Sequence, residues 1–397
     1  MRILITTPSY PPASGGVACV SRRQAEYLAG EGHEVTVVTG SSTGMAMAPS
    51  SQSGVTLIRL PIKTGRFPAY AAGDRLGIRQ PDQRLRYQEM LLQFDSDVLV
   101  SHCWQAWNTD WALDISDRLR FPFCLYSHGT SVNDTSGKTG WLRWLRWRPY
   151  ALGRMPRALR NISLLISLDA QADRNRFYDV TLARKLGANT AVIANCANSY
   201  LQHAGPWQPS GFATRYLALS VGQYNDQKNP TQVMNTFLRR APPDWTLVLC
   251  GSERTPYLTA LEATYASACR NGPAPAVHFL TALPERELMG LYKRADLFLT
   301  ASRTECQPLV ILDAIAAGVP YVSTDVGCVR SLPGGSVGRT AAEFESLAAT
   351  LMRDPELRAR HAADGRRAHQ ETYNCAATLQ RLGEVLARVV ESNRLHE

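Results

Sequence analysis

The residues with the most chemical potential lie in one stretch, SRTECQPLVILDAIAAGVP, residues 302–320. Pro308 suits the first position of a helix, because it lacks the N–H that a helix start leaves unpaired. The amides of Leu309 and Val310 are then free donors at the positive end of a helix dipole, where a diphosphate can be held without a metal. Glu305 lies just ahead of that helix and Asp313 in its second turn. Carboxylates are poor ligands for phosphate but good acceptors for sugar and ribose hydroxyls. The helix around Asp313 is almost wholly apolar, so a buried acid there needs a partner.

A cation that could neutralise a diphosphate stands upstream. The apolar run 216–221 is followed by GQYNDQKNP, in which Asn229 suits an N-cap and Pro230 the first helical position. Lys228 therefore falls at a strand-to-helix crossing, with an ordinary solvated lysine as the alternative. Gly15 and Gly16 close PPASGG directly before a helix, where backbone can approach an anion closely, although an ordinary turn reads equally well and no GxGxxG is present. His128, after the run 122–127, can hydrogen-bond a sugar hydroxyl or a reacting group near neutral pH, or be merely structural. His102, after 97–101, is read as structural. SGKT at 136–139 is not a P-loop, because the first glycine of GxxxxGK would fall on Val132.

These residues need elements to carry them. Short apolar runs at 2–6, 34–38, 55–60, 97–101, 122–127, 163–167 and 190–194 alternate with helical patterns. A second series follows at 216–221, 245–250, 276–280, 296–300 and 320–323. Most are β-branched or leucine-rich without alternation, as in parallel strands covered on both faces. Helix patterns at 17–29, closed by Gly30 and Gly32, and at 309–317, closed by Gly318, fit between them. The fold class is doubly wound α/β, in which ligands collect beyond the carboxyl ends of the strands. A Gly-, Pro- and polar-rich break at 198–214 marks a linker. The helix pattern at 376–390 has no strand after it and is expected to pack back across that linker.

Composition narrows the classes. At roughly 150 residues per domain, 397 residues make two or three domains, and 45% hydrophobic with 19% charged residues excludes a disordered chain. No run reaches the roughly 18 apolar residues of a membrane span, and the N-terminus reads as a buried strand, not a secretory signal. Nine scattered cysteines without a CxxC pair point to reduced thiols in a cytosol, with neither a disulfide framework nor a zinc site. The net charge of +9 attracts anions. Part of it sits in KTGWLRWLRWRPYALGRMPRALR, residues 138–160, which holds three tryptophans, six arginines and no acid. Trp141, Arg143, Trp144, Arg146, Trp147 and Arg148 suit a membrane interface, with indoles at headgroup level and arginines against anionic lipid. The alternative is an ordinary helix packed on its domain. No nucleic-acid motif is present, and no nucleic-acid partner is expected.

Taken together the pattern resembles the retaining glycosyltransferases of family 4, also called glycosyltransferase group 1. PPASGG looks like the family's N-terminal glycine loop and YSHG like its strand-end histidine. VIANCAN is similar to its I-P-N-G-V-D, SVGQYNDQKNP to its V-G-R…K segment, and Glu305 to Asp313 to its E-x7-E motif. The resemblance implies the GT-B architecture, two Rossmann-like domains facing across a cleft. Residues 1–205 would form the acceptor-side domain, with 376–397 packed back on it, and residues 206–375 the nucleotide-sugar domain. It implies a retaining transfer of a hexose from a nucleotide-diphosphate sugar to a glycan acceptor, lipid-linked given the patch, in polysaccharide or glycoconjugate biosynthesis. Glu305 would contact the donor sugar, Asp313 the ribose, and Lys228 the diphosphate, with Gly16 and the amides near Leu309 helping. His128 would sit by the sugar and the acceptor. No metal or other cofactor is expected, and the location implied is the cytoplasm, at the inner face of the membrane where the patch engages it. Three positions depart from the family pattern: Asp313 replaces a glutamate, Gln223 an arginine beside the diphosphate, and Cys196 a glycine. A nucleotide-sugar epimerase or hydrolase of the same fold and a non-catalytic nucleotide-sugar binder are the alternatives.

Overall fold

The computed structural model describes residues 1–13, 15–41, 47–62, 78, 80–133, 135, 140–170, 176–210 and 214–395. Ser14 of the glycine loop, the SGKT at 136–139 and residues 211–213 of the expected linker lie outside them.

Every strand expected from the apolar runs is present, and two more join them. The N-terminal sheet has eight strands: β1 (Arg2–Thr7), β2 (Glu34–Gly40), β3 (Met47–Gln52), β4 (Val55–Leu60), β5 (Val98–His102), β6 (Phe123–Tyr126), β7 (Leu164–Ser167) and β8 (Thr190–Val192). Their order is β3-β4-β2-β1-β5-β6-β7-β8, parallel except for the β3–β4 pair. The C-terminal sheet has six: β9 (Tyr216–Val221), β10 (Trp245–Gly251), β11 (Ala276–Thr281), β12 (Leu297–Thr300), β13 (Tyr321–Thr324) and β14 (Gly335–Gly338). Their order is β11-β10-β9-β12-β13-β14, all parallel.

The additions have a common reason. β3 carries serines and glutamine and β14 has a glycine at each end, so neither shows an apolar run, and both lie at sheet edges. Gly335 is needed for contact: a Cβ there would come within 2.5 Å of the Tyr321 ring on the neighbouring strand. Central strands such as β5 and β10 are buried along their whole length, because helices cover both faces.

The chain divides into two compact units, residues 1–194 with 376–397 and residues 195–375. The change falls at 194–195, upstream of the expected boundary at 205, for a local reason. The segment 195–198 is bonded to the helix Leu309–Ala317 and the loop before it, through Asn198 to Asp313 and Asn195 to Gln307. The helix Cys375–Arg394 returns to the first unit, where Gly383 faces Leu28 of the helix Gly16–Gly30.

Two cysteines far apart in sequence come together. Cys196 and Cys375, 179 residues apart in sequence, stand side by side with their Cα atoms 4.8 Å apart. No local spacing could reveal a pair formed by the two ends of one unit.

Asp97 ties three parts of the first unit together. Its carboxylate accepts the Arg2 backbone N–H at 2.7 Å, the Arg2 side chain at 3.2 Å and Arg394 of the C-terminal helix at 3.3 Å. The Arg2 amide, first of these, holds the carboxyl below its ordinary value of 3.8. A depressed native pKa means that this stabilisation is complete above the unfolded value and is lost as pH falls through the native one. Asp97→Ala is therefore expected to lower the melting temperature at pH 7 by about 2–4 °C, the scale of a lost charged hydrogen bond in a domain of this size. Thermal melts should show the gap from the parent protein unchanged between pH 7 and 5 and narrowing below pH 4.

Candidate functional site

In the C-terminal unit the strand order reverses at β9, which lies between β10 and β12. The loops leaving the carboxyl ends of β9 and β12 must part there, and a crevice opens between them. Lys228 comes from the first loop and Glu305 from the second. They meet as an ion pair, Lys228 Nζ donating to Glu305 Oε1 at 2.5 Å, both side chains partly exposed.

The two loops are held to each other by backbone. The Arg303 N–H donates to the Gln227 carbonyl at 2.8 Å, and Gln227 Nε2 to the Thr304 carbonyl at 3.3 Å. Asn225 holds the first loop from within: its Oδ1 accepts the Lys228 N–H at 2.9 Å and its Nδ2 donates to Gln223 Oε1 at 3.1 Å. The lysine stem lies over Gly222, where a Cβ would stand 3.4 Å away. Asn229 occupies the N-cap position of the helix Pro230–Arg240, but with left-handed backbone (φ 50°) and without a side-chain cap; its Nδ2 donates to Gln232 instead. Gln223, Lys228, Cys250 and Thr300 are among the residues lining one recess at these strand ends.

A third loop supports Glu305 from behind. After β13 the chain turns at Gly327 with φ 53°, and the Cys328 N–H donates to the Cys306 carbonyl at 2.9 Å. A Cβ on Gly327 would lie 2.1 Å from that carbonyl oxygen and 2.7 Å from the carbonyl oxygen of Glu305. Only glycine permits both the turn and the approach.

The helix Leu309–Ala317 begins where Pro308 placed it and ends at Gly318 in left-handed conformation (φ 72°). The Ile311 and Leu312 N–H groups bond the Pro308 carbonyl, and those of Leu309 and Val310 find no acceptor among the described residues. Asp313 is buried and has the partner that its apolar surroundings require: its Oδ1 accepts the Asn198 N–H at 2.7 Å. Asn198 Nδ2 in turn donates to Glu285 Oε1 at 2.6 Å. The shorter acid at position 313 thus anchors the segment 195–198, a link across 115 residues that spacing does not show.

In the N-terminal unit the strand order reverses at β1, between β2 and β5. Gly15 follows β1 with φ 134°, accessible only to glycine, and Gly16 opens the helix Gly16–Gly30. His102 and His128 follow β5 and β6. Register pairs His102 with Tyr126, and residues 126 and 128 share a face by the two-residue period. The histidines therefore meet, His102 Nδ1 to His128 Nε2 at 2.9 Å. Burial pushes His128 down to about 4, and His102 well below its ordinary value with His128 as a second cause, so both rings are neutral at pH 7.

The loop carrying His128 has an anchor that sequence reading missed. Asp179 is fully buried, and Oδ2 accepts Ser127 Oγ at 2.5 Å and Trp104 Nε1 at 2.8 Å. Ser127 Oγ also accepts the Gly129 N–H at 3.1 Å, so the carboxylate sets the turn on both sides of the histidine.

The Trp/Arg segment forms the helix Gly140–Pro149, continued by a wider turn over Tyr150–Arg154. Trp141 is 63% exposed, Leu145 57% and Leu152 61%, a spacing that puts them on one side, with Leu142 and Trp144 beside them. Arg148 lies over the Trp144 ring at 4.7 Å and Arg146 is exposed. Trp147 departs from expectation: it packs edge-on against Tyr150 and the core behind it. Among the described residues no helix is long and apolar enough to cross a membrane, and no three His, Cys, Asp or Glu side chains cluster as metal ligands.

Comparison with known proteins agrees with these two units. Residues 207–367 match the family model for glycosyl transferases group 1, and residues 15–175 that for a glycosyl transferase 4-like domain. A D-inositol 3-phosphate glycosyltransferase from Frankia alni is 30% identical over 286 residues, covering 67% of this chain and 68% of the relative. Among solved structures, a sucrose-phosphate synthase from Thermosynechococcus elongatus superposes with a TM-score of 0.78 at 16% identity, covering 98% of this chain and 99% of that one. The Anabaena protein HepE in complex with UDP-glucose does so with a TM-score of 0.67 at 16% identity, over 98% and 100%. With its two doubly wound units, its matching family models and this relative, the chain belongs to the group 1 glycosyltransferases of GT-B fold.

Proposed function

We propose that the protein is a retaining hexosyltransferase that moves a sugar from a nucleotide diphosphate to a lipid-linked glycan at an anionic membrane surface. The observation that carries the donor half is the Lys228–Glu305 pair at the β9/β12 reversal. One loop pair there offers a cation for a diphosphate and a carboxylate for sugar hydroxyls. The unpaired amides of Leu309 and Val310 offer further positive charge. When a donor enters, the diphosphate takes the ammonium that Glu305 holds in its absence, and Glu305 turns to the sugar. HepE, a structural neighbour crystallised with UDP-glucose, supports a nucleotide-sugar donor.

In the reaction the bond from the anomeric carbon to phosphate oxygen breaks and a bond to the acceptor oxygen forms on the same face. The acceptor's proton goes to the departing phosphate oxygen. Lys228 and the helix amides stabilise the negative charge that appears there, and the reading needs no metal. In this reading His128 contacts the sugar, and Asp313 keeps the donor-side loop 195–198 in place. Its bond to the Asn198 amide supports a positioning task over direct ribose contact. Gln223, already bonded to Asn225, leaves Lys228 as the main side-chain charge on the diphosphate.

The experiment is a thermal-shift screen of the purified protein with UDP, GDP, ADP, TDP and their common sugar conjugates, without added metal. A conjugate at ~100 times its dissociation constant adds about 2.7 kcal/mol to the unit that binds it. One selective shift is expected, and a protein that none of them stabilises would defeat the donor assignment. With the selected donor, Lys228→Ala and Glu305→Ala should each lower turnover by at least ~100-fold. Either variant working at the parent rate removes that residue from the site.

The acceptor half rests on the exposed face of Trp141, Leu145 and Leu152 beside Trp144 and Arg146. Apolar side chains this large seldom stand together in water, and arginine beside them favours anionic headgroups. Vesicles containing phosphatidylglycerol should float the protein, and vesicles of phosphatidylcholine alone should not. Trp141→Ala combined with Leu145→Ala should abolish flotation. Absence of the parent protein from the lipid fraction in both cases would end the membrane reading.

A further inference from the structure

The paired histidines constrain chemistry more tightly than either does alone. His102 is completely buried, and its place is set on several sides. Its carbonyl accepts Asn108 Nδ2 at 3.0 Å and Thr109 Oγ1 at 3.1 Å, and its ring stacks on Tyr126 at 5.1 Å. Ser101 beside it bonds Thr6 and Thr109, each at 2.8 Å. The backbone bonds and the stacking contact hold the plane of the ring, with Nδ1 on His128 Nε2.

The 2.9 Å distance leaves two assignments for the shared proton. If His128 Nε2 carries it, neutral His102 must hold its own proton on Nε2. That atom is buried without a hydrogen-bond partner. A sealed N–H with no acceptor is rarer in folded proteins than an unused acceptor. The arrangement that avoids it puts the proton on His102 Nδ1, which donates to the bare Nε2 of His128. Neutral His128 then carries its proton on Nδ1. That nitrogen makes no hydrogen bond within the described residues, and His128 keeps 8% of its surface exposed.

We propose that His102 is a positioning residue that locks His128 in the Nδ1–H form, so that His128 presents a hydrogen-bond donor, not a base, to a sugar hydroxyl. This rests on the reading of His128 as a sugar contact. It sharpens that reading, because a ring whose one lone pair is occupied by His102 cannot take the acceptor's proton. That proton must leave by another route, and the departing phosphate oxygen supplies one. The low proton affinity that burial gives both rings points the same way, since neither becomes a cation near neutral pH.

The test begins without any ligand. Long-range 15N–1H NMR of the full chain, which holds eight histidines, reports which nitrogen of each ring carries the proton, with His128 identified by its loss in His128→Gln. The expected spectrum shows His128 protonated on Nδ1; a proton on Nε2, or averaging between the two, overturns the proposal. In His102→Phe, which keeps the stacked ring but loses the donor, His128 should average between tautomers. In His102→Asn, whose amide can donate from the same place, the Nδ1–H signature should return. Phe and Asn variants with the same His128 spectrum would also overturn it.

Turnover with UDP-glucose, or with the conjugate the thermal screen selects, gives the second readout. His102→Phe should lose about 10–100-fold in kcat, the scale of a misplaced catalytic contact, and His102→Asn should recover most of that loss. Equal kcat in the two variants counts against the positioning role. If His128→Gln transfers sugar at the parent rate, the assignment of His128 to the sugar fails instead, and the NMR result on the tautomer stands separately.

Discussion

A strand-order reversal puts opposite charges next to each other in the C-terminal unit, and most of the local structure serves that contact. β9 feeds one loop to one side and β12 feeds another to the opposite side, so the loops share only the crevice above the reversal. Lys228 and Glu305 stand at its two walls. Being partly exposed, the pair adds little to stability by itself. Its geometry is set by backbone contacts: the Gln227–Arg303 bond, the Asn225 turn, and the approach of Gly327 to the Glu305 and Cys306 carbonyls. A site whose charges must exchange partners when a ligand arrives needs this separation, with rigid loops carrying an ion pair that is cheap to break.

The N-terminal unit answers the same topological problem with neutral groups. Its reversal lies at β1, and the loops after β1, β5 and β6 carry glycines and histidines, with no ion pair between them among the described residues. Burial explains the choice. A charged imidazole in the position of His102 would meet neither water nor a carboxylate, so both rings stay neutral and exchange one hydrogen bond. The buried acid nearby, Asp179, is raised by its own burial and relieved by Ser127 and Trp104. Its effect on His128 is through the turn that it holds.

What the sequence disclosed followed from how local each signal is. The apolar runs, Pro308 with Gly318, and Lys228 ahead of Asn229-Pro230 are all short-range patterns, and the elements they mark are where they should be. Edge strands β3 and β14 escaped because serine and glycine carry no apolar pattern. The requirement that Asp313 have a partner was legible, but its identity, the Asn198 amide, depends on a fold that closes 115 residues. Trp147 shows the reverse error. All three tryptophans were read as suited to a membrane interface, yet a helix turns 300° over three residues, and Trp147 is carried round to the core.

The two histidines show where local reading stops and register begins. Each stands at a strand end, and by itself each is an ordinary buried or half-buried ring. The parallel pairing of His102 with Tyr126, with the two-residue period continued past the end of β6, brings His102 and His128 onto one face. One more observation, the unpartnered Nε2 of His102, converts that contact into a direction for the proton. A residue that sequence reading sets aside as structural can therefore decide the chemistry of its neighbour without touching a substrate. Residue type alone could not have shown it, because the deciding quantity is the bond that His102 fails to make on its far side.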